Sequence, residues 1–155
     1  MCLSVVLLLS CHKEKNVTYE LNDVNIEKDA ANKDHLKSTL EFISIAYSDI
    51  FGTVIPTGSL LNLTETYKSF GDKILIEEMI IKNFLNEPVN LIPEIDKTSS
   101  LTIDIFVTDT YKKLFNRNPD EYELWFIADM IQRDSTVTAE LIYFSLMTSN
   151  EYRYY

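Results

Sequence analysis

Apolar positions along most of the chain recur at helical steps. Leu36, Leu40, Ile43 and Tyr47 follow i, i+3/i+4 spacing, which predicts a first helix from about residue 34. The run ends at "DIFGT", with Gly52 placed for a left-handed C-terminal cap. Leu60, Leu63 and Tyr67 predict a second helix over 59–70. Ile76, Met79, Ile80 and Phe84 predict a third over 75–85, with Glu77 and Glu78 read as first-turn acids. Pro88 and Pro93 stop helix propagation and mark "NEPVNLIPEIDKTSS" as a linker. The next stretch is ambiguous. Leu101, Ile103, Ile105 and Val107 alternate like a strand, whereas Val107, Tyr111 and Leu114 are helical; the expectation is one helix throughout. "NRNPDEYELWFIADMIQ" predicts a helix start with Asn118 as N-cap, Pro119 in the first turn and Glu121 three residues after the cap. In "STVTAELIYFSLM", Thr138 fits as a cap, with Val137 and Ile142 at the positions of a hydrophobic staple.

The expected fold class is therefore all-α, a small helical domain. The two halves also align. At a spacing of 64, Tyr47 pairs with Tyr111, Ile50 with Leu114, Phe51 with Phe115 and Gly52 with Asn116. Gly and Asn are the residues that best tolerate a left-handed cap. After one deletion, Ile74 pairs with Val137, Met79 with Ile142 and Phe84 with Met147. Two three-helix units in tandem are expected, 34–87 and 99–152, within a helical domain over 34–155.

The N-terminus breaks this pattern. Residues 3–9 form a short apolar run that ends in Ser10 and Cys11. As a helix the run covers roughly 10 Å, against a hydrocarbon core of about 30 Å, so it cannot span a bilayer. Its size and position suit the h-region of a signal peptide. Leu8-Leu9-Ser10-Cys11 resembles the lipobox of bacterial lipoproteins, although no Lys or Arg precedes the apolar run. The resemblance implies that residues 1–10 are removed, that Cys11 carries a diacylglycerol on its sulfur, and that its amine is acylated. Membrane lipid is then the first partner, and the bacterial envelope, at the outer membrane, the location. Residues 11–33, polar and mixed in charge, are expected to be a tether, with Leu21, Val24 and Ile26 able to dock on the body.

The second half carries another resemblance. Tyr111, Leu114, Arg117, Pro119, Asp120, Leu124, Ser149 and Glu151, with Tyr152 in a Phe position, follow a pattern of a helix, a "GR-x-PD" turn, a helix and a final "S-x-E-F". This is similar to a helical domain family of unknown function in bacterial secreted and surface proteins, itself distantly similar to phycobilisome linker domains. The likeness covers 107–152. Asn116 and Glu123 stand where that family has Gly, and Trp125 lies two positions early. The resemblance implies a helical fold and an interaction role, with no activity.

Charge narrows the partners. The 155 residues carry a formal net charge of −10, and only Lys112 and Lys113 are adjacent bases. Phosphate backbones call for a basic stripe, so nucleic acid is not an expected partner. Cys2 and Cys11 are the two cysteines, which leaves the body without a disulfide, a thiolate ligand or a thioether-linked bilin. His12 and His35 are the two histidines, and no G-x-S-x-G or calcium loop accompanies them. No catalytic residue, metal site or cofactor is expected.

Asp120 and Glu121 read as helix-start acids and Glu123 as solvated surface. "DST" at 134–136 matches a short O-glycosylation triplet, and Asn16 and Asn62 head N-x-T sequons. Arg117 is expected either to cap carbonyls or to pair with Glu151. The tail "EYRYY" suits either an exposed interface or a terminus folded back on the core. The leading expectation is an envelope lipoprotein whose helical body contacts an unidentified protein, for example as an accessory subunit. The alternatives are a carboxylate-based enzyme and a helical module that binds a small ligand.

Overall fold

A computed structural model of the chain describes residues 35–154. The signal stretch, Cys11, His12 and the 11–33 tether lie outside the described residues. Within them run six α-helices: α1 (Thr39–Phe51), α2 (Thr57–Ser69), α3 (Lys73–Leu85), α4 (Ser100–Phe115), α5 (Glu121–Arg133) and α6 (Ala139–Met147). A 3-10 turn, Glu151–Arg153, follows α6, and a single bridge pairs Leu36 with Tyr154. The all-α expectation holds. The ambiguous stretch from Leu101 is helical throughout.

Helices α1, α2 and α3 pack on one another, as α4 packs on α5 and α6; α3 against α6 joins the two sets. One apolar core runs through both, from Ile43, Ile50 and Ile81 to Ile103, Ile131 and Met147. The linker is fastened at both ends. The Leu91 amide donates to the Ile50 carbonyl at 2.8 Å, and Lys97 Nζ donates to the Val137 carbonyl at 2.7 Å.

Both left-handed caps are present, Gly52 at φ 66° and Asn116 at φ 56°. Each closes its helix by donating its amide one turn back, to the Ser48 and Lys112 carbonyls. Thr138 caps α6 through a bond from the Leu141 amide, with Val137 and Ile142 both buried.

Other local expectations are corrected. The first helix starts at Thr39 rather than near 34, because Ser38 and Glu41 form a capping box there. His35 and Leu36 therefore precede it. Leu36 and Leu40 are exposed, and the buried face runs through Phe42, Ile43, Ala46 and Ile50. Met79 is exposed too, since Ile76, Ile80 and Phe84 already fill the core side of α3. Asp72 is the N-cap of α3, which puts Glu77 beyond its first turn. Asp120, not Asn118, is the N-cap of α5, and Pro119 precedes the cap instead of opening the helix. The deciding residue is Glu123: it completes a capping box by accepting from the Asp120 amide at 2.8 Å, while Asp120 accepts from the Glu123 amide at 2.7 Å.

Candidate functional site

The tail folds back. Three consecutive residues at the end of the chain each grip a different part of the body. Glu151 meets Arg117 at the end of α4, Tyr152 fills the core, and Arg153 meets Glu77 of α3. Arg117 is the hub of the first contact. Its Nη1 and Nη2 donate to Glu123, and its Nε and Nη2 to Glu151, all at 2.7 Å. Its guanidinium also lies over the rings of Tyr111 (5.2 Å) and Phe115 (5.7 Å). Hydrogen bonds to Glu123 and then Glu151 hold its proton well above the ordinary arginine range. Glu123 is thus an ion-pair partner and a cap, not a solvated surface acid.

Of the residues that carry the family resemblance, Arg117, Asp120, Glu151 and Tyr152 converge at this corner, with Glu123 added. Pro119 lies in the turn between Arg117 and Asp120. Ser149 accepts from the Tyr152 amide through its hydroxyl at 3.3 Å, which starts the final turn. These contacts hold the fold together and are half-buried, so the corner does not present itself to a ligand.

Tyr152 is fully buried, edge-on to Phe42 (6.1 Å) and Phe115 (6.4 Å). Its hydroxyl donates to Asp49 Oδ2 at 2.7 Å. Burial raises the Asp49 carboxyl and pushes the Tyr152 hydroxyl well above the ordinary tyrosine value. Lys37, in the lead-in to α1, donates from Nζ to the Tyr152 carbonyl and lies over its ring. Glu77 is nearly buried, bound by Arg153 and by the Tyr67 hydroxyl at 2.9 Å.

Two concave features stand apart from this clasp. One is a cavity of about 430 Å³ between the linker and α4, bounded by Leu91, Pro93, Ile105 and Phe106, with Lys113 and Tyr143 at its polar side. Glu94, Asp96 and Asp109 also border it. Asp96 is engaged by the Thr98 side chain and backbone, which hold its carboxyl below the ordinary value.

The other is a groove between α5 and α6. Tyr122, Phe126 and Met130 form one wall, Ile142, Ser145 and Leu146 the other. Beside it lies an exposed aromatic face. Tyr122, Trp125 and Phe126 are 67 %, 57 % and 50 % exposed, and the Tyr122 ring is 5.9 Å from Trp125 and stacks on Phe126 at 6.0 Å. A lone exposed aromatic is ordinary, but three joined through the Tyr122 ring form a patch of the kind that marks contact surfaces. In the sequence Tyr122 and Phe126 belong to no motif, and Trp125 stands out only for its offset. The available signal was that α5 has two apolar ridges. Leu124, Ile127, Ala128 and Ile131 face inward, and 122, 126 and 130 form a second line at four-residue steps.

Among the described residues no helix is long and apolar enough to cross a membrane, and no group of three or more His, Cys, Asp or Glu could hold a metal ion. Compared with known proteins, the chain matches no family model, no curated protein and no solved structure.

Proposed function

We propose that this protein is a lipoprotein of the bacterial envelope whose helical body docks a protein partner through α5. The observation that carries the docking role is the contiguous face of Tyr122, Trp125 and Phe126. Tyr and Trp are enriched where interfaces are energetically dense, and their exposure otherwise costs solubility without return. The anchor rests on Leu8-Leu9-Ser10-Cys11. Acylated Cys11 would hold the chain at the outer membrane, with 11–33 as the spacer. The two three-helix units, 34–87 and 99–152, are read as a duplication, supported by the equivalent caps at Gly52 and Asn116.

A photo-reactive phenylalanine analogue at position 122 tests the docking role. Irradiation of intact cells is expected to give a discrete cross-linked protein species, and the same analogue at exposed Val54 none. Absence of any cross-linked protein from position 122 would refute the role. The anchor is tested by fatty-acid labelling: wild type labelled, Cys11→Ala unlabelled. The second reading, a small-ligand module, is favoured by the cavity beneath Leu91 and Pro93.

A further inference from the structure

The cavity between the linker and α4 is a trench with a base at one end and carboxylates along the rest. We propose that it binds a short apolar peptide as a zwitterion, with the peptide carboxylate on Lys113 and its ammonium on Glu94. The proposal rests on the small-ligand reading of this cavity and is independent of the docking role of α5.

Two segments laid side by side form the walls. On α4, Thr102, Phe106, Asp109 and Lys113 recur at steps of three or four residues, one stripe of about 16 Å at 1.5 Å per residue. The linker runs along this stripe in the opposite sense. The Thr102 hydroxyl donates to the Asp96 carbonyl at 2.8 Å, which sets Asp96 beside the start of α4. At the other end the Leu91 amide is held by the Ile50 carbonyl, and the neighbouring Asp49 lies within electrostatic reach of Lys113. Leu91 therefore marks the Lys113 end. Residues 90–96 form no helix, and Pro93 biases Ile92 toward extended backbone. Ile92 and Ile95 pack on the core, while Leu91, Pro93 and Glu94 line the trench. From Leu91 to Glu94 the chain reaches up to about 10 Å, the span of three extended residues.

Charge and shape then describe the occupant. The volume, about 430 Å³, is that of a small-molecule site. Leu91, Pro93, Ile105 and Phe106 make its apolar surface. Lys113 is the one base in the lining, and its ammonium lies 5.6 Å from the ring of fully buried Tyr143. Among the described residues it makes no hydrogen bond or ion pair. Of the three acids, Asp109 lies 4.0 Å from Lys112, and Asp96 accepts from the Thr98 amide at 2.9 Å. Glu94 has no such partner among the described residues. One ammonium and one carboxylate are thus left to a ligand, with apolar wall between them. A fatty acid would match Lys113 and leave Glu94 unmet; an alkylamine would do the reverse. A linear peptide of about three apolar residues carries both charges at the required span. The linker also favours a peptide backbone. The carbonyls of residues 92–95 accept no hydrogen bond from the described residues, which leaves acceptors for the amides of an extended chain.

Trileucine, its N-acetyl form and its C-terminal amide are the probes, titrated into the full chain by isothermal titration calorimetry. Trileucine is expected to bind one to one, and each blocked form about tenfold more weakly. Lys113→Met is expected to weaken trileucine by the same factor and to bind the amide as wild type does, because the amide has already lost that contact. Glu94→Gln is expected to behave likewise toward trileucine and the N-acetyl form. Val54→Ala is expected to bind all three as wild type does, and far-UV circular dichroism of every variant to be unchanged. No binding of trileucine would overturn the proposal, as would trileucine binding to Lys113→Met and Glu94→Gln with wild-type affinity. Equal affinity for the free and blocked peptides would overturn the zwitterion while leaving a small-ligand cavity. Cross-linking from position 122 reads the docking role separately, so either can fail without the other.

Discussion

Arg117 and Glu151 stand fork to fork, Nε on Oε1 and Nη2 on Oε2, each at 2.7 Å, across 34 residues of chain. The same guanidinium holds Glu123 with two further bonds, so one cation joins the end of α4, the start of α5 and the final turn.

Removing that cation leaves the Glu123 and Glu151 carboxylates facing each other without the charge that joins them. The side chains are 22–30 % exposed, so water tempers the cost. Arg117→Ala is expected to lose about 1–3 kcal/mol in urea unfolding. Arg117→Lys restores charge without the planar fork and is expected to recover less than half of that. A lysine variant as stable as wild type would show that charge alone suffices.

Asp49 behaves differently with pH. Burial raises its carboxyl above the ordinary 3.8. Between 3.8 and that raised value the native state binds more protons than the unfolded chain. This contribution therefore falls as pH rises through the window, and ionised Asp49 is a net cost above it. Asp49→Asn keeps an acceptor for the Tyr152 hydroxyl and carries no charge. The variant is expected to equal or exceed wild type near pH 7, with its relative advantage shrinking by about pH 4. A variant that loses more at neutral pH than in acid would contradict the burial argument.

What was legible in the sequence divides by range. The left-handed caps and the Thr138 cap depend on a few neighbouring residues, and they were readable. The start of α5 is also local, but two caps competed there. Asn118 and Asp120 each have a Glu three residues on, Glu121 and Glu123, and the reciprocal bonds of the Asp120–Glu123 box decided between them. Glu77 was unreadable for a physical reason: its partner, Arg153, is 76 residues away. Leu40 and Met79 misled because a helix with more apolar residues than its buried face can hold must expose some, and Leu36 misled because the capping box at Ser38 leaves it outside α1. The same surplus on α5 is the candidate site. There, apolar periodicity could register a helix but not which of two ridges the core would take.

The two equivalent caps give a matched pair of predictions. A Cβ on Gly52 would sit 3.0 Å from Leu91 Cδ1 and at positive φ, so Gly52→Ala is expected to cost about 1–2 kcal/mol. Asn116 already bears a side chain at φ 56°, so Asn116→Gly is expected to be neutral within about 0.5 kcal/mol. Thermal or urea unfolding of both variants checks this. A large loss in Asn116→Gly would mean that its side chain, rather than its backbone, holds the turn.

Tyr152 and Trp125 test the partition between scaffold and contact face. Both are large aromatics, but one is wholly buried and the other is 57 % exposed. Tyr152→Ala removes a ring packed edge-on to Phe42 and Phe115 and the donor to Asp49. It is expected to cost about 3–5 kcal/mol or to prevent folding. Trp125→Ala removes no core contact and is expected to stay within about 0.5 kcal/mol of wild type. Its deletion should instead reduce cross-linking from position 122. The intermediate variant Tyr152→Phe keeps the ring and loses only the bond to Asp49, for an expected cost of about 1–2 kcal/mol. If Trp125→Ala were as damaging to stability as Tyr152→Ala, the aromatic face would belong to the fold, and its exposure would need another explanation than a partner.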